Sequence, residues 1–257
     1  MTYEDIIVER QDEITFITMN RPQRRNALSL RHLNELLDAF RTVGEGDSLG
    51  VVLSGNGPVF SAGHDFAVMV DADLPQMRRL LWTCTTLMET MQSIPQVTIA
   101  RVHALATAAG CQLVASCDLA VASVNAGFAT PGGKGGWFCH TPMVAVSRAI
   151  GRKAAMEMAL CGDVISADTA LSWGLINRVV AAEDLDSETL SLLRRATRGS
   201  AFSKAAGKQT LYRQMDMGQH DAYSLAVETM ASMSQSADAK EGMAAFLQKR
   251  PAKWLNR

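Results

Sequence analysis

The sequence predicts an α/β protein with a layered, mostly parallel core and a helical C-terminal part. Short apolar segments rich in β-branched residues recur in the first part of the chain. Loops and amphipathic helices alternate with these segments, a pattern typical of a parallel sheet covered by helices. After Ala167 the strands give way to helical segments with more exposed charge. We therefore expect a core over residues 1–180 and a helical oligomerisation region over residues 181–257.

The individual elements follow from hydrophobic periodicity and from turn signals. The predicted strands are residues 14–19, 51–53, 97–100 and 119–121, and the predicted core helices are residues 30–43, 74–93 and 109–116. In the first of these helices Leu33, Leu36, Leu37 and Phe40 recur at helical spacing, and Ser29 is a suitable N-cap. Four further helices are expected near residues 190–196, 200–217, 222–234 and 239–249.

Composition excludes several classes of protein. The chain has 257 residues, 47% hydrophobic and 20% charged, with a net charge of −1, so nothing indicates a nucleic-acid partner. Its five cysteines form no CxxC pair, and an odd number indicates neither a metal site nor a disulfide framework. The apolar region 97–122 is interrupted by polar residues, so no membrane span is expected. Reduced thiols and an acidic N-terminus without a signal-peptide pattern predict a cytoplasmic protein.

The stretch from Thr90 to Met156 is unusually poor in carboxylates. It contains only Asp118, although the whole chain has 26 Asp and Glu residues. The same stretch is rich in small residues, which let a backbone approach a ligand closely. We expect a structural hydrogen-bonding role for Asp118. A functional site built here must therefore work mainly through backbone donors.

Two segments of the chain are candidates for such donors, one before this region and one within it. Residues 60–66 follow a predicted buried strand, and residues 103–113 place small residues where a helix begins. A helix N-terminus leaves N–H groups unpaired and carries a partial positive charge, which suits an anionic oxygen. Two N–H groups aimed at one point form an oxyanion hole. A turn followed by a tightly packed helix is the structural alternative.

In their order along the chain, these segments resemble the signature of the crotonase superfamily, the enoyl-CoA hydratase/isomerase family. The resemblance extends over nearly the whole sequence. The matching segments are Asn20-Arg21-Pro22, Asn26-Ala27-Leu28, residues 59–65 and 108–113, Cys117-Asp118, residues 128–131 and 172–175, and residues 245–250. The resemblance implies a spiral of ββα turns with a C-terminal helical trimerisation region. It also implies binding of acyl-CoA thioesters and self-association as a trimer or a dimer of trimers.

The resemblance also assigns roles to single residues. It implies that the backbone N–H groups of His64 and Ala109 form the oxyanion hole. Substrate contacts would come from Arg24, Arg25, Ala27, Ala62, Asp65, Phe66 and Leu105, with Phe246 and Lys249 at the nucleotide end. Trp82, Met88, Trp137 and Phe138 are expected to line the acyl pocket together with Leu105. No separate cofactor and no metal are expected, because coenzyme A is part of the substrate.

Two positions depart from the family pattern. A hydratase of this family uses two glutamates to hold and ionise the attacking water, and these positions are Gln112 and Gly132 here. A glutamine side chain has no accessible protonation change, and glycine has no side chain. Cys139 and His140 are alternative candidates for a nucleophile or base. A structural thiol beside a partly buried imidazole is the other interpretation of this pair.

The resemblance therefore implies a nominal enoyl-CoA hydratase of fatty-acid and acyl-CoA metabolism, with weak or altered activity. Each general acid–base group typically contributes ~10²–10⁴-fold to a rate, so hydration by the usual route is expected to be inefficient. A non-catalytic acyl-CoA-binding or assembly protein is the alternative function.

Overall fold

A six-stranded sheet forms the centre of the protein. A computed structural model describes residues 3–256 of the chain. The strands of this sheet are β1 (Ile6–Gln11), β2 (Ile14–Met19), β3 (Gly50–Gly55), β4 (Val97–Val102), β6 (Leu119–Ser123) and β9 (Arg178–Val180), which lie side by side in this order. A three-stranded sheet consists of β5 (Ala106–Thr107), β7 (Gly127–Ala129) and β8 (Ile165–Ser166). The β1–β2 and β7–β8 pairs are antiparallel and the remaining pairs are parallel, so the predicted mostly parallel core is confirmed.

Helices surround the sheets and make up the C-terminal part. They are α1 (Leu30–Gly44), α2 (Leu74–Ser93), α3 (Ala109–Ser116), α4 (His140–Ala149), α5 (Arg152–Cys161), α6 (Ala167–Trp173), α7 (Leu185–Thr197), α8 (Ala201–Gln214), α9 (Gln219–Met233) and α10 (Ala237–Leu247). The helices predicted at residues 74–93 and 109–116 have these bounds in the structure. Among residues 3–256, no helix combines the length and the apolar character needed to cross a membrane.

The N-termini of α1 and α2 follow from side-chain caps. The Ser29 hydroxyl accepts a hydrogen bond from His32 N, as its predicted N-cap role requires. Asp73 and Gln76 form a capping box, in which each side chain accepts from the other residue's backbone N–H. The apolar stripe of α1 is buried against α2 and the sheet. Amphipathic periodicity therefore determines how both helices cover one face of the core.

Helix α7 covers the opposite face of the six-stranded sheet. Leu185 and Leu193 of this helix pack with Ile14, Val52 and Ile99, which come from three neighbouring strands. A Cβ atom on Gly50 would lie 2.8 Å from a Leu193 methyl group, so the strand and the helix are in close contact there. The division of the chain at residue 180 stays a prediction, although α7 packs directly on the core.

Asp118 ties α8 to the core through hydrogen bonds, in agreement with its predicted structural role. Its Oδ2 accepts from Thr98 N at 2.7 Å and from Thr98 Oγ1 at 3.0 Å. Lys208 and Tyr212 of α8 approach the same carboxylate at 2.8 and 2.9 Å. Lys208 Nζ also donates to the Met91 carbonyl at 3.0 Å. Burial lowers the pKa of Lys208, and the adjacent Asp118 opposes this shift.

Candidate active site

The candidate active site is a cavity of about 490 Å³ at the carboxyl ends of the central strands. Its walls come from the loop after β3, the turn into α3, the loop between β7 and α4, and Leu81 of α2. The larger apolar side chains of the lining are those of Phe66, Leu81, Pro131, Trp137, Phe138 and Pro142. Ligand sites in open α/β folds commonly lie at this edge of a sheet. The position therefore favours this cavity as the ligand site.

Two loops meet at the base of the cavity because small residues allow close contact. Gly63 has a φ of +81°, and a Cβ atom there would lie 2.9 Å from the Thr107 carbonyl oxygen and 3.2 Å from Ala109 N. A Cβ atom on Gly110 would lie 2.5 Å from the Ser61 carbonyl oxygen. The distances of 2.9 and 2.5 Å to the two carbonyl oxygens are shorter than a side chain tolerates. The glycines at 63 and 110 therefore hold the loop after β3 against the start of α3.

The chain enters α3 through a strained residue. Ala108 has a φ of +48° and a ψ of −118°, a conformation that glycine adopts far more readily than alanine. Its N–H donates to the Ala129 carbonyl at 2.8 Å, and its carbonyl accepts from Gln112 N at 3.0 Å. These two bonds fix the turn that aims the Ala109 N–H. Strain of this kind persists only where the surrounding structure determines it, and it concentrates at functional sites.

The His64 N–H faces away from the strand-like bridge that His64 forms with Leu28. That bridge uses the neighbouring groups, since Leu28 N donates to the Gly63 carbonyl at 2.8 Å and Asp65 N donates to the Leu28 carbonyl at 3.2 Å. The His64 N–H must then point to the opposite side of the loop, where Ser61 pairs with Ala106. Ala109 N begins α3 and would lie 3.2 Å from a Cβ atom on Gly63. Two backbone N–H groups thus lie in one neighbourhood, with Ala109 itself buried behind the residues that line the cavity.

The His64 imidazole is buried beside these donors. Only 7% of the residue is exposed, and within residues 3–256 neither ring nitrogen has a hydrogen-bond partner. Burial lowers the pKa of His64 to about 4. The Leu28 carbonyl is close enough to the ring to oppose this shift, but its position relative to the ring nitrogens does not meet the criteria for a hydrogen bond. The ring centroid lies 6.3 Å from that of Trp137 across the cavity lining. The imidazole is therefore neutral at pH 7 and faces an apolar space.

The two positions that depart from the family pattern lie in different surroundings. Gln112 is buried in the second turn of α3, where its Oε1 lies 4.0 Å from Cys84 Sγ, and it is not part of the cavity lining. Gly132 lines the cavity, but a Cβ atom there would overlap the Trp137 carbonyl oxygen. Because the backbone of the following residues packs directly against Gly132, this position does not accept a longer side chain in the loop's present conformation.

Cys139 and His140 line the cavity at the start of α4. Cys139 is buried, and this burial raises the pKa of its thiol, while a hydrogen bond with the Gly132 backbone opposes the shift. A raised pKa leaves less thiolate, so this thiol is a poorer nucleophile than a free cysteine. The exposed His140 ring packs at 5.0 Å from the Phe138 ring.

Three charged residues expected to contact coenzyme A, Arg24, Arg25 and Asp65, form a rim beside the cavity, where the lining residue Ala62 donates its N–H to the Arg25 carbonyl at 3.0 Å. Asp65 is buried and pairs with Arg24 at 3.1 Å and Arg21 at 3.4 Å, and it also caps the turn at Ala67. Its carboxylate is therefore engaged with protein partners, while about half of the Arg24 side chain is exposed. Arg25 is exposed with a φ of +51°. Asp65 holds a cation at the rim in this arrangement.

The remaining expected contacts are distributed unevenly. Ala62, Phe66, Trp137 and Phe138 line the cavity, whereas Ala27, Leu105, Trp82 and Met88 do not. Ala27 is buried, and its carbonyl accepts from Arg21. Leu105 is half-buried beside Gly127, and its carbonyl accepts from Phe60 N. Trp82 is 68% exposed, and Met88 is buried in the main core.

Phe246 and Lys249 lie at the end of the last helix and not at the cavity. Phe246 is 83% exposed on α10, and Lys249 follows that helix with a φ of +54°. Neither residue belongs to the lining of the cavity in the same chain. Their predicted contact with the nucleotide end therefore requires a ligand that extends out of the cavity or a neighbouring subunit.

Leu81 and Thr107 line the cavity and were not identified from the sequence. Helical phase could have identified Leu81. The buried residues of α2 include Leu80 and Cys84, so Leu81 lies next to the buried stripe and Trp82 lies further round the helix. Thr107 gives no comparable signal, because its position depends on the pairing of β5 with β7.

Comparison with known proteins supports a single family. Residues 9–257 match the model for the enoyl-CoA hydratase/isomerase family. The curated "Enoyl-CoA hydratase domain-containing protein 3, mitochondrial" of Danio rerio is 44% identical over 254 residues, which are 97% of this chain and 87% of the relative. The human protein of the same name is 41% identical over 245 residues, covering 95% and 81% of the two chains. A crotonyl-CoA hydratase of Syntrophomonas wolfei is 30% identical over 264 residues, which cover 100% of this chain and 100% of the relative.

Solved structures agree with these sequence matches. The crystal structure of an enoyl-CoA hydratase from Mycobacterium smegmatis superposes with a TM-score of 0.95 at 43% identity, covering 98% of this chain and 99% of that one. The crystal structure of human enoyl-CoA hydratase domain-containing protein 3 gives a TM-score of 0.92 at 39% identity, covering 98% and 100%. The crotonase-like fold expected from the resemblance is thereby confirmed.

The predicted cytoplasmic location is wrong by the same comparison. The similar proteins of Danio rerio, Mus musculus and Homo sapiens all carry the word mitochondrial in their names. The prediction rested on reduced cysteines and on an acidic N-terminus without a signal-peptide pattern, and reduced cysteines are compatible with more than one reducing compartment. Thiol content therefore does not distinguish between such compartments.

Proposed function

The chain belongs to the enoyl-CoA hydratase/isomerase family, and from this we propose that it binds acyl-CoA thioesters and stabilises an enolate-like thioester oxygen. The His64 and Ala109 backbone N–H groups are the donors in this proposal. The observation that carries it is the contact between the loop at Gly63 and the start of α3. Donors held in advance at the position of a developing charge stabilise it without reorganisation.

A chromophoric thioester tests the proposed oxyanion hole directly. The absorption of cinnamoyl-CoA moves to longer wavelength when its thioester oxygen accepts strong hydrogen bonds. We expect this shift on binding to the wild-type protein. The Gly63→Ala variant should lose the shift, because its new Cβ would lie 2.9 Å from the Ala108 Cβ at a φ of +81°.

Gly151→Ala is the matched control, since a Cβ atom there meets nothing within 4 Å. It should retain both binding and the spectral shift. A wild-type protein that binds cinnamoyl-CoA without any shift would contradict the oxyanion hole, and a protein that binds no CoA ester would contradict the whole proposal.

Efficient hydration is not part of the proposal. With Gln112 outside the cavity lining and Gly132 without a side chain, neither family position provides a general acid or base. Since each such group typically contributes ~10²–10⁴-fold, hydration of crotonyl-CoA should be slow. The chain is then an enoyl-CoA hydratase of fatty-acid and acyl-CoA metabolism in name only. Its own reaction is either a weak hydration or a different reaction on the acyl-CoA.

A non-catalytic acyl-CoA-binding or assembly protein is the second candidate. The close packing of the loop at Gly132 favours it, because that conformation is incompatible with a restored glutamate. Binding of CoA esters with protection against thermal unfolding, but with no turnover of any thioester, would support this function. Turnover of any acyl-CoA above the uncatalysed rate would exclude it.

The rim cations are proposed to meet the phosphates of coenzyme A. Arg24 is held by Asp65 while its side chain stays partly exposed, and Arg25 is exposed beside it. Ala62 and Phe66 line the cavity next to this rim, as the path of a pantetheine chain would require. Affinity for free coenzyme A should fall with rising salt, and Arg24→Gln should reduce that dependence.

Self-association as a trimer or a dimer of trimers completes the proposal. A groove of about 770 Å³ lies between the C-terminal helices α8 and α9 and is lined by the exposed residues Leu211, Tyr223 and Met230 of these helices and by Met215, the residue after α8. Exposed apolar side chains that cluster in this way are characteristic of an interface. Sedimentation analysis should give a trimer or hexamer, and introducing a charge with Met230→Glu should shift the equilibrium toward the monomer.

A further inference from the structure

The His64 side chain is a polar group without a partner in an apolar cavity. It is 7% exposed, both ring nitrogens lack hydrogen bonds within residues 3–256, and the residue lines the cavity. An unpaired buried polar group costs about 1–3 kcal/mol, and native structures usually avoid it. A ligand bound in the cavity can provide a partner for the ring.

The other polar groups around the cavity are less suited to proton transfer. Among the described residues of the lining, none is a carboxylate. Lys134 is exposed and forms an ion pair with Asp163, and His140 is exposed at the start of α4. Cys139 has a thiol whose pKa is raised by burial. His64 is the buried member of the lining that is neutral at pH 7 and carries a basic nitrogen.

We propose that the His64 imidazole transfers protons at the α-carbon of the bound acyl group. This rests on the proposed binding of acyl-CoA thioesters. The unprotonated ring nitrogen takes the α-proton, so that the C–H bond breaks and an N–H bond forms. The electron pair moves into the bond between the α-carbon and the thioester carbon, and the carbonyl oxygen becomes an enolate oxygen. The imidazolium then returns a proton to the carbon skeleton, and no further reactant is consumed.

One residue would thus serve the reaction in two ways. Its backbone N–H stabilises the thioester oxygen, while its side chain exchanges a proton with the adjacent carbon. The neutral imidazole is a weak base in this cavity, because burial disfavours its charged form. A developing enolate supplies an opposite charge at short distance, and this favours the imidazolium during the reaction.

Deuterium exchange into butyryl-CoA tests the proposal without any hydration step. The full-length protein is incubated with butyryl-CoA in D₂O, and deuterium at the α-carbon is measured by mass spectrometry. We expect incorporation with the wild-type protein. His64→Gln should reduce the exchange rate by about 10²-fold or more, because it removes the basic nitrogen but keeps the backbone N–H.

Binding is measured on the same samples, so that the two proposals fail separately. His64→Gln should bind butyryl-CoA with nearly unchanged affinity. His64→Phe fills the site without a nitrogen and covers the case in which the buried glutamine perturbs folding. His103→Gln is the matched control, because His103 lies outside the cavity lining, and its exchange rate should equal that of the wild type.

Four results would overturn the inference. Exchange that persists in both His64 variants excludes the imidazole. Exchange that is lost in Cys139→Ser or His140→Gln, but retained in His64→Gln, assigns the proton transfer to that other residue. Binding of butyryl-CoA by the wild type without any exchange contradicts the proton transfer while leaving thioester binding intact. Absence of binding contradicts both proposals.

Discussion

Gly132 and Trp137 are in backbone contact across the loop that precedes α4. Trp137 N donates to the Gly132 carbonyl at 2.9 Å, and a Cβ atom on Gly132 would overlap the Trp137 carbonyl oxygen. The same Cβ atom would lie 2.8 Å from Cys139 Sγ. Loss of the family glutamate is therefore accompanied by a loop conformation that requires glycine, and the change is not confined to one missing side chain.

Replacing Gly132 should destabilise the protein without restoring hydration. We expect Gly132→Ala to lower the free energy of unfolding by about 1–3 kcal/mol, as overpacking commonly does. Urea unfolding measures this. Gly133→Ala is the control, because its Cβ atom would lie 3.4 Å from the Ala159 carbonyl oxygen and 3.5 Å from the Phe138 ring. The double variant Gln112→Glu with Gly132→Glu should not hydrate crotonyl-CoA, and efficient turnover would contradict this account of the loop.

Ala108→Gly should stabilise the chain. Alanine is strained at the φ of +48° and ψ of −118° found there, and glycine is not. Relief of the strain should outweigh the added freedom of the unfolded chain, with a net gain of about 1 kcal/mol. Ala106→Gly, at a buried strand position, should instead lower stability by a similar amount. Equal effects at both positions in urea unfolding would show that the backbone at Ala108 is not strained.

The ion pair between Asp118 and Lys208 should couple strongly in a double-mutant cycle. Asp118→Asn leaves the largely buried Lys208 ammonium without its counter-charge, which typically costs about 3–5 kcal/mol. Lys208→Met removes the charge and should rescue part of that loss in the double variant. Thermal and urea unfolding measure the four proteins. Additive losses would indicate that the two side chains do not interact.

Much of the fold could be predicted from the sequence because its helices are strongly periodic. The helices predicted at residues 74–93 and 109–116 begin and end at those residues in the structure. Strand β1 was not predicted, because only its first residue is buried and the segment ends in Glu9, Arg10 and Gln11. An edge strand of this kind lacks a regular apolar alternation, and its position is determined by pairing with β2.

The candidate site was only partly accessible to sequence reasoning. The pattern of small residues indicated the segments 60–66 and 103–113, since close backbone approach has a compositional signal, and the resemblance to the family then assigned His64 and Ala109 within them. The burial of the His64 imidazole and the closed loop at Gly132 have no such signal. They depend on how residues 131–139 fold over the cavity, and that conformation is determined by tertiary contacts.

The buried His64 imidazole should make stability depend on pH. Its pKa is lowered by burial from 6.5 to about 4 in the folded protein. Between these two values the unfolded chain binds more protons at this site, so the free energy of unfolding falls as the pH falls. The full shift corresponds to about 3 kcal/mol at most. Urea unfolding at several pH values should show this loss in the wild type and a smaller loss in His64→Phe. Burial also lowers the pKa of His32, and this contribution cancels in the difference between the two proteins. An identical pH dependence for both proteins would mean that His64 is not held in its neutral form by the fold.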